Sequence, residues 1–386
     1  MDETRKLLTD IVRHRVLGVE IDLSPLTLDE AKALYSLSKR HELAHIVGDA
    51  LCHRGLLPNE KAEEVFQKEA FRVAYQYEKL EKELSFLSSL FEEAKIPFMP
   101  LKGAVLRPLY PVSWMRNSCD IDVLVHEEDL SRAKELLLSK EYRFFATGGH
   151  DVSFDSPRDV HIELHYRLVE KTVLPGMETP LEDPWATARP ASEGGFRYVM
   201  DDACLYYYHI AHMVKHYLFG GCGIRPYLDL FLLRHRLTCN TDARTALLSS
   251  GGLLTFHETA AALADVWFGN GAHTPLTEEM EAHVLKGGVY GSTENRVKVQ
   301  QIKRGGKVRY ALSRIFIPYR SLKHYYPALE KHKWLFPLYT VRRWCRLAFL
   351  GGAKHSLHEL HLNSSLSAKE KEETLAHLSA LGIKFS

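Results

Sequence analysis

Asp120-Ile121-Asp122 sets two carboxylates one residue apart at the head of the apolar run Ile121-Asp122-Val123-Leu124-Val125. The run reads as a strand, and side chains at i and i+2 of a strand point to the same face. Two like charges held so close repel each other unless a cation neutralises them. Carboxylate oxygens suit a hard divalent ion, Mg²⁺ or Mn²⁺. The competing reading is a solvated strand start, but an acid enclosed between Ile121 and Val123 argues against it.

Two further segments add to this pair. His161-Ile162-Glu163-Leu164-His165 alternates strictly, with Ile162 and Leu164 on one face and His161, Glu163 and His165 on the other. If this strand lies beside the first, Glu163 faces the aspartates and becomes a third metal ligand. Upstream, Pro100-Leu101-Lys102-Gly103-Ala104 places a glycine between a short apolar strand, Pro97 to Leu101, and an expected helix. Backbone N–H groups at such a junction approach phosphate closely, and Lys102 supplies a charge. Arg116, four residues before Asp120, supplies another.

The ordered set Leu101-Lys102-Gly103, Arg116, Asp120-x-Asp122, Ile162-Glu163-Leu164-His165 resembles the DNA polymerase β-type nucleotidyltransferase superfamily. More narrowly it is similar to a bacterial branch of uncharacterised nucleotidyltransferases, in which Lys-Gly replaces the usual Gly-Ser. The resemblance is most specific over residues 97–166 and weaker through 205–216. It implies an α+β fold, with a small mixed sheet like the polymerase β palm flanked by helical regions. It also implies an NTP substrate, a pair of metal ions on Asp120, Asp122 and Glu163, and contact of His165 with the nucleotide. Lining of the nucleotide or acceptor pocket by the histidine-bearing helix, His209 and His212 included, follows from it as well.

The 386 residues suffice for two or three domains, and 45% apolar with 26% charged residues is ordinary for a globular protein. No run of about eighteen apolar residues predicts a transmembrane helix. Met1-Asp2-Glu3-Thr4-Arg5 lacks a signal-peptide core. The cysteines show neither CxxC pairing nor disulfide-like spacing, so a reduced, cytoplasmic setting is expected. The pattern divides into an N-terminal helical region (1–95), a catalytic core (96–170), a linker or crossing loop (171–200), a helical domain closing the cleft (201–295) and a basic, aromatic-rich helical region (296–386). Within the core, a helix is expected over Glu127 to Ser139, a hairpin from Tyr142 to Asp155, and the Glu163 strand over His161 to Leu168.

In the 201–295 region, His209, His212 and His216 fall at i, i+3 and i+7. Three zinc ligands rarely come from one helix, so pocket lining is the preferred functional reading. Lys215 is placed to meet phosphate, and Asp229 to anchor a helix or orient a histidine; His161 is placed to orient Glu163 or to make a structural hydrogen bond. His150-Asp151 looks like a phosphohydrolase dyad but falls on the expected hairpin. Between Arg296 and Arg346 stand fourteen Lys/Arg and one acid, Glu330, leaving 36 against 48, a net of −12, in the remainder. That excess must face the acidic remainder, an anionic acceptor or a membrane surface. Trp334 to Leu350 has the look of an interfacial helix interrupted by Pro337.

The function read from the sequence is metal-dependent transfer of a nucleoside monophosphate from an NTP to a hydroxyl or phosphate of a small acceptor, an anionic one among the options, with release of pyrophosphate. The alternatives are a catalytically silent nucleotide-binding module and an RNA-tailing enzyme. The net charge of +1 and the lack of a recognisable RNA-binding module argue against nucleic acid. Neither the base of the NTP, the acceptor nor the oligomeric state is legible.

Overall fold

The computed structural model describes residues 3–169, 173–237, 240–289, 291–326, 328–349 and 352–385. The chain opens with helices Glu3–Val12 (α1), Leu28–Arg40 (α2), Ala44–Leu51 (α3) and Glu60–Glu93 (α4). A capping box starts α2: Thr27 Oγ1 accepts from Glu30 N, and the Glu30 carboxylate accepts from Thr27 N at 2.8 Å. Asn59 caps the 34-residue α4 through Ala62 N at 2.9 Å. The buried positions Leu80, Leu84, Leu87 and Leu90 of α4 repeat at three and four residues and make one continuous stripe.

That stripe packs against a five-stranded sheet. Its strands are Phe98–Pro100 (β1), Asp120–Val125 (β2), Arg143–Thr147 (β3), Asp151–Asp155 (β4) and His161–His165 (β5), in the order β1-β2-β5-β4-β3. Only β2 and β5 are parallel; the other neighbours are antiparallel. A one-turn helix, Gly103–Leu106 (α5), follows β1, and Leu130–Ser139 (α6) joins β2 to β3. The back of the sheet is apolar: Ile121, Val123, Ile162, Leu164, Val152 and Phe154 share a core with α4 and with Ala133 and Leu137 of α6. This is the small mixed sheet flanked by helices that the sequence implied. Its elements are shorter at two ends than expected: α6 starts at Leu130 after a turn, and the Glu163 strand stops at His165.

A two-residue pair, Arg189–Pro190 (β6) and Tyr198–Val199 (β7), lies in the 171–200 crossing. Phe196 O accepts from Phe98 N at 2.9 Å, so this crossing covers the open edge of β1. Then come Asp202–Leu218 (α7), Arg225–Arg236 (α8), Thr241–Ser250 (α9), Leu254–Phe268 (α10) and Pro275–Gly287 (α11). The larger core joins these helices to α1, α2 and α3 through residues such as Tyr206, Tyr217, Leu228 and Phe256 with Leu8, Leu34 and Ile46. The remainder is Thr293–Lys303 (α12), Lys307–Ile315 (α13), Tyr319–Tyr325 (α14), Ala328–Lys331 (α15), Phe336–Phe349 (α16), Gly352–Ser365 (α17) and Ala368–Ala380 (α18). Pro337 falls in the first turn of α16, where a missing N–H costs nothing, so it opens the helix instead of interrupting it. Leu350 and the Glu330 side chain lie outside the described residues. Cys52, Cys119, Cys204, Cys222 and Cys345 are free thiols.

Burial leaves several histidines neutral. It pushes His41, His45, His257 and His283 each down to about 4 from an ordinary 6.5. As pH falls below 6.5 the unfolded chain takes up these protons and the folded chain does not, so stability is lost progressively until about pH 4. The thermal midpoint should therefore fall steeply over that window, and a flat profile would contradict neutral burial.

Candidate active site

The parallel register sets Asp120 opposite His161, Asp122 opposite Glu163 and Leu124 opposite His165. Because the apolar partners of these residues fill the back of the sheet, the acids and histidines all stand on the front. Asp122 is 3% exposed and Glu163 29%. Lys102 Nζ lies 2.6 Å from Asp122 Oδ1 and 3.8 Å from Glu163 Oε2. His165, buried beneath them, has Nε2 2.8 Å from Asp122 Oδ1 and 3.3 Å from Glu163 Oε2. Ligand atoms of Asp122, Glu163 and His165 all fall within 4.8 Å of one another, a spacing one metal ion can span. Two oxygens and an imidazole nitrogen are a donor set that suits Mn²⁺, and with His165 acting only as a hydrogen-bond donor the oxygens suit Mg²⁺.

The electrostatics follow from this crowding. Burial pushes Asp120 up, and the charge of Asp122 adds to it, bringing Asp120 to about 6. Burial alone would do the same to Asp122, but Lys102 and His165 overcome it and hold that carboxyl far below the usual range. Burial works against the Lys102 ammonium too, and Asp122, Tyr208 and Glu163 outweigh it, so its pKa is raised. The buried His165 is likewise raised by its hydrogen bonds to Asp122 and Glu163. Lys102 reaches this position from a backbone at φ +42° and ψ −111°, a conformation that a residue with a side chain rarely adopts. Strain at a turn whose side chain bridges the acids marks the turn as part of the site.

β4 extends the front face. Asp151 stands opposite His165 and Ser153 opposite Glu163. Burial raises the Asp151 carboxyl, with His165 opposing and Glu163 adding to the shift. The His150 ring centroid is 5.3 Å from that of His165, and burial, then Lys215, depresses His150 to about 3. Lys215 of α7 thus acts on both His150 and Asp151. Neither residue had a place in the sequence reading of this site. The signal was present: Asp151-Val152-Ser153-Phe154-Asp155 alternates as strictly as the Glu163 strand.

α7 roofs the site. Tyr208 Oη is buried without a hydrogen-bond partner, and its titration feels Lys102, Asp122, Glu163 and Asp120. A chamber of about 80 Å³ opens beside it, lined by Tyr208, His212, His216, Lys102 and Arg225 among others. His212 and His216 face each other at 3.1 Å between their Nε2 atoms, so one must donate and the other accept. His209 is instead committed to the carbonyl of Pro226 at 2.9 Å.

The sequence model of the family described as uncharacterised nucleotidyltransferase matches residues 28–269. The chain belongs to that family. No curated protein and no solved structure matches it. The matched span runs from α2 to just past α10 and contains the whole sheet, its front face and the α7 roof. Membership supports nucleotidyl transfer as the general class of activity.

Several expected roles change. Arg116, expected to steady phosphate, is buried and engaged within the chain, with Nη2 3.0 Å from Asp229 Oδ2 and Nε 3.3 Å from Oδ1, and Tyr110 Oη donates to the same carboxylate at 2.8 Å. Asp229 accordingly anchors the approach to β2, although both residues also border the chamber. Gly103 is buried, and its reason is packing, since a Cβ there would stand 2.9 Å from Ser118 Oγ. His161 pairs with Asp155 at 2.9 Å, away from Glu163. His165 is buried and its Nε2 is engaged by the carboxylates of Asp122 and Glu163. The loop before β2 is held at two more points that the sequence did not suggest. His45 Nε2 donates to Met115 O at 2.8 Å, and Arg225 Nη1 donates to Asn117 O and Glu42, both at 2.8 Å.

Asp229→Asn leaves the Arg116 charge buried without its counter-ion. The expected loss is about 3–5 kcal/mol of stability, read by urea unfolding. Nucleotide affinity of the folded fraction should be little changed; a stable variant with lost affinity would restore Arg116 to phosphate binding.

Proposed function

We propose that the protein transfers a nucleoside monophosphate from an NTP to an acceptor hydroxyl or phosphate on the front face of the sheet, with Mg²⁺ or Mn²⁺ at Asp122, Glu163 and Asp120. The observation that carries this reading is the register of β2 on β5, which stacks Asp122 against Glu163 with Asp120 on the same face. The family supports the reaction class, and the donor set fits a divalent cation.

A bound divalent cation supplies charge neutralisation at the reacting phosphate and lowers the proton affinity of the acceptor hydroxyl. The chain's own groups do the rest. Asp122 and Glu163 hold the cation's place, and His165 fixes both carboxylates by donating from Nε2. Lys102, whose Nζ lies between Asp122 and Glu163, would supply a positive charge to the triphosphate. Tyr208 Oη and Lys215 add a donor and a charge on the α7 side. Glu163, the more open of the two carboxylates, faces the acceptor and takes up or orients its proton. The acceptor oxygen forms a bond to the α-phosphorus, the bond to the bridging oxygen breaks, and pyrophosphate leaves.

Asp122→Asn should abolish metal-dependent pyrophosphate release. Because it removes one of two crowded charges but also the partner of Lys102, its metal-free thermal midpoint should stay within a few degrees of wild type. Glu163→Gln should lower kcat by roughly a hundredfold or more while NTP affinity changes only a few-fold, as expected for a group that acts in the transition state. Full turnover in either variant would refute the assignment. NTP binding without pyrophosphate release from the wild type, across all four NTPs and a cell extract as acceptor source, would favour a silent nucleotide-binding module.

A further inference from the structure

The walls of the chamber under α7 carry more hydrogen-bond donors than they use. The chamber measures about 80 Å³, and one water takes on the order of 10–15 Å³ of such space, so a group larger than a single water fits. Tyr208 borders it, only 3% exposed, and its Oη has no partner among the described residues. Arg225 borders it too. Its Nη1 is committed to Glu42 and to Asn117 O, but its buried Nε has no partner among the described residues. Unpartnered donors at this depth carry a desolvation cost that a ligand removes.

The histidine pair adds a third donor. Burial, then His216 and Lys102, holds His212 well below its ordinary 6.5; burial, then Lys215 and Lys102, holds His216 at about 4. Both rings are therefore neutral near neutral pH, each with one N–H and one bare nitrogen. Their Nε2 atoms stand 3.1 Å apart and share one hydrogen. Whichever ring donates there has a bare Nδ1, so the other ring must carry its hydrogen on Nδ1. In either tautomer the pair keeps one Nδ1–H in reserve, and neither Nδ1 is hydrogen-bonded within the described residues. Lys102 and Arg225 are themselves paired, with Asp122 and Glu42, and Asp229 on the same wall is engaged by Arg116 and Tyr110. What the chamber lacks is acceptors for its donors, not a counter-charge.

The matching group is small, rich in lone pairs and indifferent to which imidazole donates. A phosphate or a carboxylate meets all three conditions, and its charge strengthens each hydrogen bond. A hydroxyl or an amide would bring a further donor to walls already rich in them. The cations that depress the two histidines, Lys102, Lys215 and Arg225, favour an anion there as well. We propose that the chamber is a subsite for one oxyanionic group, phosphate or carboxylate, of a substrate bound at the β2–β5 face, with Tyr208 Oη, Arg225 Nε and the His212–His216 pair as donors. Lys102 ties the two places together: it borders the chamber, and its Nζ is 2.6 Å from Asp122 Oδ1. Only the identity of the molecule that carries the group rests on the reaction proposed above: it is the NTP, through its terminal phosphate, or an acidic acceptor.

The test is a titration of the metal-free full chain with inorganic phosphate and with acetate at constant ionic strength, followed by the thermal midpoint. The expected result is a saturable rise with at least one of them. Tyr208→Phe removes a hydroxyl that has no partner among the described residues, so the midpoint without ligand should hold or rise, while anion affinity falls roughly tenfold. His212→Gln and His216→Gln should each weaken binding by a similar factor, with circular dichroism reporting that the variant is folded. A repeat with Mg²⁺ and a saturating non-hydrolysable NTP analogue separates the sources. Exclusion of the anion by the analogue assigns the group to the NTP, and binding of the anion alongside it assigns the group to an acidic acceptor. No saturable binding to the wild type, or wild-type affinity in Tyr208→Phe or in both histidine variants, would overturn the subsite. Anion binding that the variants lose, in a protein with no metal-dependent pyrophosphate release, would overturn the proposed reaction and leave the subsite standing.

Discussion

Two carboxylates cannot stand side by side on a largely buried face without a positive charge between them, and the parallel pairing of β2 with β5 forces Asp122 and Glu163 into that position. In the metal-free protein the charge comes from Lys102, held at 2.6 Å from Asp122 by a turn at φ +42°, and from the His165 imidazole below. The cost of burying these acids is offset by these positive partners, a role that a divalent cation would take over in the proposed reaction.

The surrounding architecture keeps this arrangement in register. Behind the sheet, α4 and α6 seal the apolar sides of β2 and β5, so a one-residue slip would bring the acids into the core. In front, α7 brings Tyr208 within electrostatic reach of Asp122, Glu163 and Asp120, and Lys215 within reach of Asp151 and His150. The loop entering β2 is gripped from three directions, by His45 of α3, by Arg225 of α8 and by the buried pair Arg116–Asp229 with Tyr110. Helices α3 and α8, far apart in the sequence, thus converge on Tyr110, Met115, Arg116 and Asn117 ahead of the first aspartate. All of these contacts lie within the span matched by the family, residues 28–269.

Alternation made the strands legible. Asp-x-Asp in an apolar run and the strict pattern of His161 to His165 placed three acids on one face, and that placement holds because side-chain direction in a strand is a local property. The pairing of Arg116 with Asp229 was not legible because the partner is 113 residues away, and nothing local distinguishes a buried, paired arginine from an open one. Ser153 carried the same alternating signal but was read only as half of a hairpin, and Asp151 was weighed only with His150 as a phosphohydrolase-like dyad. Tyr208 could not be separated from Tyr206 and Tyr207 by pattern, since all three are buried; only the packing of α7 shows which hydroxyl meets the acids. The basic segment was visible as a charge imbalance, whereas the clamp of Arg296 and Arg314 on the buried Glu359 required the tertiary structure.

The central claim is attack at the α-phosphorus on the β2–β5 face. It is tested most directly by giving the protein NTP labelled at either the α- or the γ-phosphate, with divalent metal and fractionated cell extract as the source of acceptor. The account predicts that the α-label passes to an acceptor in a metal-dependent reaction while the γ-label appears only in pyrophosphate. Transfer of the γ-label to an acceptor, with the nucleoside diphosphate left behind, would contradict it.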